Sequence, residues 1–206
     1  MFTETLSTNT KTALGLLGQS RLLDFAYLAG GTACALQLGH RVSIDLDFFT
    51  NQEFDAKKII QALQKIGHFK LQQEEWGTIL GSFEDVRFSL FIYNYPVLFP
   101  AGSLENIRVA HLKDIAAMKV DAIGSRGIKR DFVDLYFICK EGLPLKEAIT
   151  LYDQKYGTLA SNQIHVQKSL VYFEDADIAA MPTMLKKVSW DDIKYFFESE
   201  TKTLST

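Results

Sequence analysis

Two aspartates separated by one residue, Asp45 and Asp47, have the clearest potential for chemistry in this chain. In a β-strand, side chains two positions apart point to the same face. Two ionised carboxylates on one face repel each other unless a counter-charge lies close by. They therefore either project into water or share a cation, and Mg²⁺ suits one or two carboxylates together with substrate phosphates. The apolar neighbours Leu46 and Phe48 argue against a freely solvated strand, but the alternation alone leaves that alternative open.

A Gly-Gly step, Gly30–Gly31, precedes the aspartates and a short helix predicted over residues 32–38. Exposed backbone N–H groups at a helix start favour a phosphate, whereas the alternative is a tight turn that only glycine permits. Because the aspartates follow closely, we expect Gly30, Gly31 and Thr32 to cradle phosphates. Ser43, on the same predicted strand face as the aspartates, completes this nucleotide-binding set.

Lys119 interrupts the apolar stripe of a helix predicted over residues 111–123. A lysine at a core-facing position is uncommon, because burial of an unpaired charge costs free energy. Its side chain either snorkels along the helix end or points into a polar site, where phosphates or carboxylates balance it. In the second case Lys119→Met should keep or raise thermal stability, because the substitution removes the charge to be buried.

Asp131 lies within the apolar arc of the next predicted helix, residues 129–140. It is either an acid favoured by the dipole of the first helical turn or a second site residue, a base or a positioning group. The loop between the two helices is basic and carries Arg126, Lys129 and Arg130. Such a loop contacts phosphate or RNA, or is merely solvated.

The periodicity of the chain predicts an α+β fold with a sheet-rich first half and a helical C-terminal half. We treat residues 1–110 as an α/β core with an N-terminal helix, and residues 111–206 as a helical region packed on it in one structural unit. Pro96 and Pro100 are expected to end the sheet region. The predicted strands are 24–29, 43–49, 69–74, 77–83 and 86–93, with a turn at Glu84–Asp85, and the predicted helices are 4–20, 32–38, 55–66, 111–123, 129–140, 144–155, 161–173 and 189–199.

Composition sets outer bounds on the function. The net charge of −3 gives no global nucleic-acid footprint, so any such contact must come from a local patch. The two cysteines favour reduced core thiols over a disulfide, and the four histidines lack the spacing of a metal site. No secretory signal and no membrane-spanning stretch is predicted, so we expect a cytoplasmic protein without a membrane partner.

The segments LAGGTACALQLGHRVSIDLDFF and HLKDIAAMKVDAIGSRGIKRDFVDLYFI resemble the AbiEii/AbiGii toxin family of the nucleotidyltransferase superfamily. The resemblance covers roughly residues 20–140 and implies a DNA polymerase β-like core. It also implies that Asp45 and Asp47 hold Mg²⁺ with a nucleoside triphosphate, and that the later motifs fall on Lys119 with Asp121 and on Asp131. The implied activity is nucleotide transfer to an acceptor, such as tRNA or another RNA, and the implied partner is a cognate antitoxin.

One position departs from the related enzymes. They carry a third carboxylate on a later strand, where this chain has Ser89 in VRFSLFIYNYP. A serine is a poor metal ligand and cannot act as a general base without help. The sequence therefore supports a nucleotidyltransferase, with Asp131 as the candidate base, and alternatively a nucleotide-binding protein with weak or lost transfer activity. A third hypothesis, solvated aspartates, predicts no Mg²⁺-dependent binding.

Overall fold

A mixed sheet of seven strands organises the computed structural model, which describes residues 1–157 and 160–204. The strand order is β3-β4-β5-β2-β1-β7-β6, with β2 parallel to β5, β1 parallel to β7 and the other neighbours antiparallel. The strands are β1 (Tyr27–Leu28), β2 (Leu46–Thr50), β3 (Phe69–Glu75), β4 (Thr78–Phe83), β5 (Val86–Ile92), β6 (Gly102–Leu104) and β7 (Ile107–Val109).

Helices cover the sheet and form the second half of the chain, so the predicted α+β class with a helical C-terminal half is confirmed. One apolar core contains residues from both halves, including Phe48 and Phe88 of the sheet and Phe132 of the helical region. The helices are α1 (Thr8–Ser20), α2 (Gly30–Leu38), α3 (Ala56–Ile66), α4 (Leu112–Ser125), α5 (Lys129–Lys140), α6 (Leu145–Tyr156), α7 (Ala160–Ser169), α8 (Glu174–Ile178) and α9 (Trp190–Leu204).

The side chains of the two central strands, β2 and β5, alternate between the apolar core and the opposite face of the sheet. Leu46 and Phe48 are fully buried, whereas Asp47 and Phe49, which alternate with them, are half-buried. Burial of two large apolar side chains on one face fixes the register, because a slip of one residue would bring the carboxylate into the core. The opposite face of these strands is thereby left for polar and aromatic groups.

The β1 and β2 strands are shorter than predicted, because their flanking backbone makes other hydrogen bonds. The predicted strand 24–29 is reduced to Tyr27–Leu28, and a turn precedes it in which the Ala26 N–H donates to the Leu23 carbonyl. The predicted strand 43–49 begins only at Leu46, because the Ser43 N–H donates to the carbonyl of Thr5. Asp45 therefore lies just before the strand that contains Asp47.

The expectation that Pro96 and Pro100 end the sheet is wrong. A two-strand hairpin, β6 and β7, follows Pro100 and adds to the free edge of β1. Its turn residues Glu105 and Asn106 both have positive φ, as a tight two-residue hairpin turn requires. The strands have three residues each, and an alternation pattern cannot reveal strands as short as that.

The smaller helical differences lie near both ends of the chain. The predicted helix 4–20 begins only at Thr8, because Ser7 caps it by accepting a hydrogen bond from the Thr10 N–H. The predicted helix 161–173 ends at Ser169 and is followed by the short helix α8, whereas the predicted helix 189–199 extends to Leu204. The predicted helix 55–66 is α3, and Asp55 caps it by accepting a hydrogen bond from the Lys58 N–H at 3.2 Å. The predicted turn at Glu84–Asp85 is confirmed, with both residues at positive φ.

Close contact between α1 and the β6–β7 turn yields a paired test of the fold. A Cβ on Gly18 would lie 1.9 Å from the Glu105 carbonyl oxygen, whereas a Cβ on Gly15 meets nothing nearer than 3.7 Å. Gly18→Ala should therefore cost about 1–3 kcal/mol of unfolding free energy through overpacking. Gly15→Ala, the matched control, should gain about 0.5–1 kcal/mol from helix propensity. Urea unfolding of both variants measures the difference, and equal stabilities would contradict this packing.

Candidate functional site

The N-terminus of α2 comes close to the aspartate pair because it begins with two glycines. Gly30 has φ +65°, and a Cβ there would lie 3.0 Å from Asp47 Oδ2. A Cβ on Gly31 would lie 2.3 Å from Arg41 Nη2. Both residues thus need to be glycine for this approach. The helix was predicted to begin at Thr32 but begins at Gly30, so the glycines form its first turn, where backbone N–H groups lack helical partners.

The two aspartates face one cavity of about 300 Å³. Asp47 stands opposite Ser89 in the parallel β2–β5 register, and the Ser89 hydroxyl donates to Asp47 Oδ1 at 2.5 Å. Asp45 Oδ2 accepts a longer hydrogen bond of 3.3 Å from Arg130 Nη1. The predicted strand 86–93 is thus β5, which lies beside β2 with Ser89 next to Asp47. A serine hydroxyl therefore occupies the place next to the pair.

The predicted phosphate-binding set is only partly in the cavity. Gly30, Gly31 and Ser43 line it, whereas Thr32 is buried behind them and is not part of the lining. The Thr32 hydroxyl donates to the Asp45 carbonyl and lies 2.9 Å from the Ser43 hydroxyl. Thr32 thus ties the segment before β2 to the first turn of α2.

The cavity is cationic near the aspartates and aromatic at its other end. Four arginines line it, from the segment before β2, from β5, from the end of α4 and from α5, which places positive charge around the carboxylates. The lining residues, beside the glycines, Ser43, Ser89 and the aspartates, are Arg41, Phe49, Arg87, Phe91, Tyr93, Met118, Lys119, Asp121, Ala122, Ser125, Arg126, Arg130 and Tyr156. A ligand with an anionic part and a planar apolar part would match this division.

Beneath the cavity, Asp134 is fully buried and is neutralised by two cations. Arg41 donates to both its oxygens, from Nε at 2.6 Å and Nη2 at 2.9 Å, and Lys119 Nζ lies 2.7 Å from Oδ2. His40 Nε2 lies 2.8 Å from Oδ1. Burial alone would raise the pKa of Asp134, but Arg41 and Lys119 hold that pKa well below its usual range. The carboxylate is therefore charged and fully engaged.

Asp131 is also completely buried and belongs to the same network. Lys119 Nζ lies 2.8 Å from its Oδ1, and Arg126 makes a bidentate pair with it at 2.9 and 3.1 Å. Burial opposes ionisation, but the neighbouring Lys119 and Arg126 lower the pKa of Asp131. A lowered pKa and full pairing favour a positioning group over a proton acceptor. Asp131 holds Arg126 and Lys119 in place, and it does not itself line the cavity.

Lys119 is where the sequence placed it, in the core-facing stripe of α4, but its partners differ from the expectation. Its side chain is 4% exposed and bridges Asp131 and Asp134, although it also borders the cavity. Snorkelling to solvent does not describe this geometry. The prediction that Lys119→Met would preserve stability is therefore reversed, because two buried carboxylates would lose their shared cation.

The resemblance named Asp121 together with Lys119, and Asp121 does line the cavity, whereas sequence reasoning missed the aromatic end altogether. Asp121 lies on the α4 wall, half-buried, and burial raises its pKa although Arg126 opposes the shift. The aromatic residues come from strand positions that alternate with the core, namely Phe49 on β2 and Phe91 on β5. Phe49 and Phe91 follow Asp47 and Ser89 by two residues. Residues two apart on a strand share a face, so this spacing could have indicated that the aromatic rings lie beside the aspartate site.

Among the residues that the structure describes, we compare two groups of side chains as metal sites. Asp45 and Asp47 offer partly exposed carboxylate oxygens at the glycine turn, which fits a hard divalent cation. The second group, Cys34, His40 and Asp134, has its ligand atoms within 4.8 Å of one another. It does not fit a metal, because burial and Asp134 raise the pKa of the Cys34 thiol well above its usual value and both Asp134 oxygens are already paired with cations.

The chain matches the family described as "Nucleotidyl transferase AbiEii toxin, Type IV TA system" over residues 13–105 and 93–203. It belongs to the AbiEii nucleotidyltransferase toxin family. It is also 39% identical over 184 residues, 87% of each chain, to "Uncharacterized protein aq_aa25" of Aquifex aeolicus (strain VF5).

Two solved structures share the fold of this AbiEii family member. A candidate nucleotidyltransferase from H. pylori superposes with a TM-score of 0.56 at 18% identity, over 96% of this chain and 95% of that one. JHP933 from Helicobacter pylori gives a TM-score of 0.56 at 17% identity, over 97% and 93% of the two chains. The family match confirms the AbiEii assignment made from the motifs, and these two structures confirm the fold. Within the described ranges, no helix is long and apolar enough to cross a membrane.

The buried network predicts a large stability loss for Lys119→Met, about 3–5 kcal/mol of unfolding free energy, because one substitution leaves two buried carboxylates undercompensated. Lys113→Met is the matched control on the same helix. Its surface ion pair with Glu147, at 2.8 Å, is largely solvated, and the loss should be about 0–1 kcal/mol. Denaturant unfolding compares the two variants. A Lys119→Met protein as stable as the parent would show that the network does not support the fold.

Proposed function

We propose that this AbiEii family member transfers a nucleotide from a Mg²⁺–nucleoside triphosphate to an acceptor, with RNA, such as tRNA, as the acceptor class. The observation that carries the proposal is the meeting of Asp45, Asp47 and the Gly30–Gly31 start of α2 in one cationic cavity. Carboxylates suit a divalent cation, and a helix N-terminus suits phosphate. Family membership supports the same reaction.

In this proposal Asp45 and Asp47 hold Mg²⁺, and the first turn of α2 receives the β- and γ-phosphates. When bound by these two carboxylates, Mg²⁺ would offset the charge that develops on the leaving pyrophosphate. Gly30 and Gly31 contribute their backbone N–H groups and the space that a Cβ would fill. Ser43 adds a hydroxyl at the cavity wall.

The basic residues contribute charge in two different ways. Arg126 and Arg130 reach the cavity directly, with side chains 53% and 43% exposed, so each can present its guanidinium group to a phosphate. Arg130 contacts Asp45 through a long 3.3 Å bond, which a metal-bound phosphate could replace. Lys119 is committed to two carboxylates, and it supports the site mainly by keeping the floor of the cavity neutral. Asp131 acts as a positioning residue for Arg126.

A second cavity beside the first supports the acceptor assignment. It has a volume of about 500 Å³ and shares Arg41, Ser43, Asp45 and Arg130 with the nucleotide cavity. The end of an RNA acceptor bound in this cavity would reach the metal site. The phosphates of the RNA would then lie near the basic residues in the first turn of α5. Its hydroxyl oxygen would bond to the α-phosphorus as the bond from that phosphorus to pyrophosphate breaks.

The biological setting is proposed from the family. The name of the family assigns it to toxin–antitoxin systems, so we propose that the chain is the toxin of such a pair and has a cognate antitoxin protein as partner. We also propose a cytoplasmic location, since triphosphates and RNA occur there. Two free cysteines, Cys34 and Cys139, are consistent with that compartment.

The alternative function is nucleotide binding with weak or lost transfer. It is favoured by Ser89, which fills the place beside Asp47 where related enzymes carry a third carboxylate. An attacking hydroxyl must give its proton to a base, and neither Ser89 nor the fully paired Asp131 is suited to take it. Calorimetry that detects Mg²⁺-dependent triphosphate binding, with no transfer to RNA, would favour this alternative.

The metal assignment is tested by Asp45→Asn and Asp47→Asn. Each substitution removes a carboxylate charge without removing a core contact, so transfer of labelled nucleotide into total RNA should fall by at least about a hundredfold, with unchanged thermal unfolding. Asp24→Asn, which breaks only an exposed pair with Arg21, is the matched control. Calorimetry with triphosphate and Mg²⁺ gives an independent readout. Normal binding by both site variants would rule out the metal assignment.

Ser89→Asp tests whether the missing carboxylate limits the reaction. The new charge would face Asp47 and repel it, so the variant should unfold at a lower temperature in chelator and recover in Mg²⁺. Transfer should rise if a third carboxylate is what activity lacks. Ser103→Asp, on the exposed edge strand β6, is the control and should show no Mg²⁺ dependence. A Ser89→Asp protein indifferent to Mg²⁺ would contradict the proposed geometry.

A further inference from the structure

The end of the nucleotide cavity farther along β2 and β5 is built from aromatic side chains that the phosphate chemistry leaves unused. Phe49 follows Asp47 by two residues, Phe91 follows Ser89 by two, and Tyr93 continues the same face. These rings are half-buried rather than packed away, and each borders the cavity. The polar and aromatic ends therefore lie in sequence along two adjacent strands.

The rings hold one another in fixed positions. The Phe49 centroid lies 5.5 Å from that of Phe91 and 5.1 Å from that of Tyr93. Tyr156 closes the wall from α6, and its hydroxyl is hydrogen-bonded to that of Tyr93. A wall of mutually packed rings is preorganised, so little side-chain entropy is lost when a planar ligand stacks on it.

Asp121 is the unengaged polar group at this end of the cavity. Among the described residues, the Asp121 carboxylate has no hydrogen-bond or ion-pair partner within bonding distance. The Tyr93 and Tyr156 hydroxyls, in contrast, are hydrogen-bonded to each other. Asp121 lines the same cavity as both tyrosines. Burial raises the pKa of Tyr93 and of Tyr156, and the negative charge of Asp121 raises both further. A carboxylate accepts hydrogen bonds from N–H groups and repels carbonyl oxygens.

We propose that the Phe49–Phe91–Tyr93–Tyr156 wall is the seat of the nucleobase of the incoming triphosphate, and that Asp121 accepts a hydrogen bond from an amino group on that base. The inference rests on the proposed function, because it takes the anionic part of the ligand to lie at Asp45, Asp47 and the glycine turn. Aromatic side chains stack on any base, whereas the carboxylate favours bases that present an N–H donor. Cytosine, adenine and guanine carry an exocyclic amino group and fit this end, and uracil, with oxygen in that place, fits less well.

The stacking part is tested by comparing a triphosphate that has a base with one that has none. Phe91→Leu keeps an apolar side chain but removes the planar ring, so the Kd for the preferred nucleoside triphosphate with Mg²⁺ should rise about tenfold. The Kd for inorganic tripolyphosphate with Mg²⁺ should not change. Phe54→Leu is the matched control, since Phe54 is half-buried against Phe25 outside the cavity, and it should alter neither Kd.

The possible results separate the two proposals. If the parent protein binds both probes and Phe91→Leu changes neither Kd, or raises both equally, the base seat is refuted while the proposed phosphate and metal site stands. If the parent protein binds neither probe, the proposed function fails and the base seat fails with it. Measuring binding without an acceptor ensures that any effect of the ring is on the donor nucleotide and not on an RNA end.

The selectivity part is tested by calorimetry with the four common ribonucleoside triphosphates. The parent protein should bind UTP more weakly than the three amino-bearing nucleotides. Asp121→Asn, which can donate as well as accept, should narrow that difference while leaving the Kd for tripolyphosphate unchanged. Tightest binding of UTP by the parent protein, or an Asp121→Asn profile identical to it, would refute the role given to Asp121.

Discussion

The carboxylate of Asp134 lies where the segment between α2 and β2, the helix α4 and the helix α5 meet. Arg41 and Lys119 neutralise it, and it has no exposed surface. Three elements distant in sequence are thus held together by charges that cannot separate without leaving a buried ion unpaired. Each cation also borders the cavity that contains Asp45 and Asp47, so the interaction that fixes the helices also sets the position of the cavity floor.

Asp131 extends the network from the core to the surface. It shares Lys119 with Asp134, and it also forms an ion pair with Arg126, whose guanidinium group reaches the cavity. The result is a graded arrangement in which fully buried pairs support a half-exposed arginine. An arginine held on one side by a buried carboxylate is preorganised for phosphate, because less side-chain freedom remains to be lost when a ligand binds.

The sequence was most informative where strong periodicity or special residue types leave few options. The strands β4 and β5, the turn between them and the helix α3 follow from alternation, a two-residue turn and a capping aspartate. The glycine turn and Asp45–Asp47 pair could be assigned to one site because a short helix leaves little room to separate them. In contrast, β6 and β7 have three residues each. Their composition gives no strand signal strong enough to override the prediction that Pro96 and Pro100 end the sheet.

The buried network is the part that pattern reasoning could not reach. The helical wheel revealed that Lys119 and Asp131 are charged residues in apolar stripes, but it could not reveal that they face each other, because that depends on how α4 packs on α5. Arg41 lies in a loop without periodicity, so its contact with Asp134, 93 residues away, left no local signal. The same limit explains why phosphates or carboxylates could be expected around Lys119, while Asp131 and Asp134 could not be identified as its partners.

The measurement that tests the account most directly is a crystal structure of the full chain with Mn²⁺ and a non-hydrolysable nucleoside triphosphate. The anomalous signal of Mn²⁺ locates the metal independently of the protein density. The account predicts a peak within ligand distance of Asp45 and Asp47, with the phosphates at Gly30–Gly31 and the Asp134 network unchanged. A Mn²⁺ peak at Cys34 and His40, or a triphosphate bound away from the glycine turn, would contradict it.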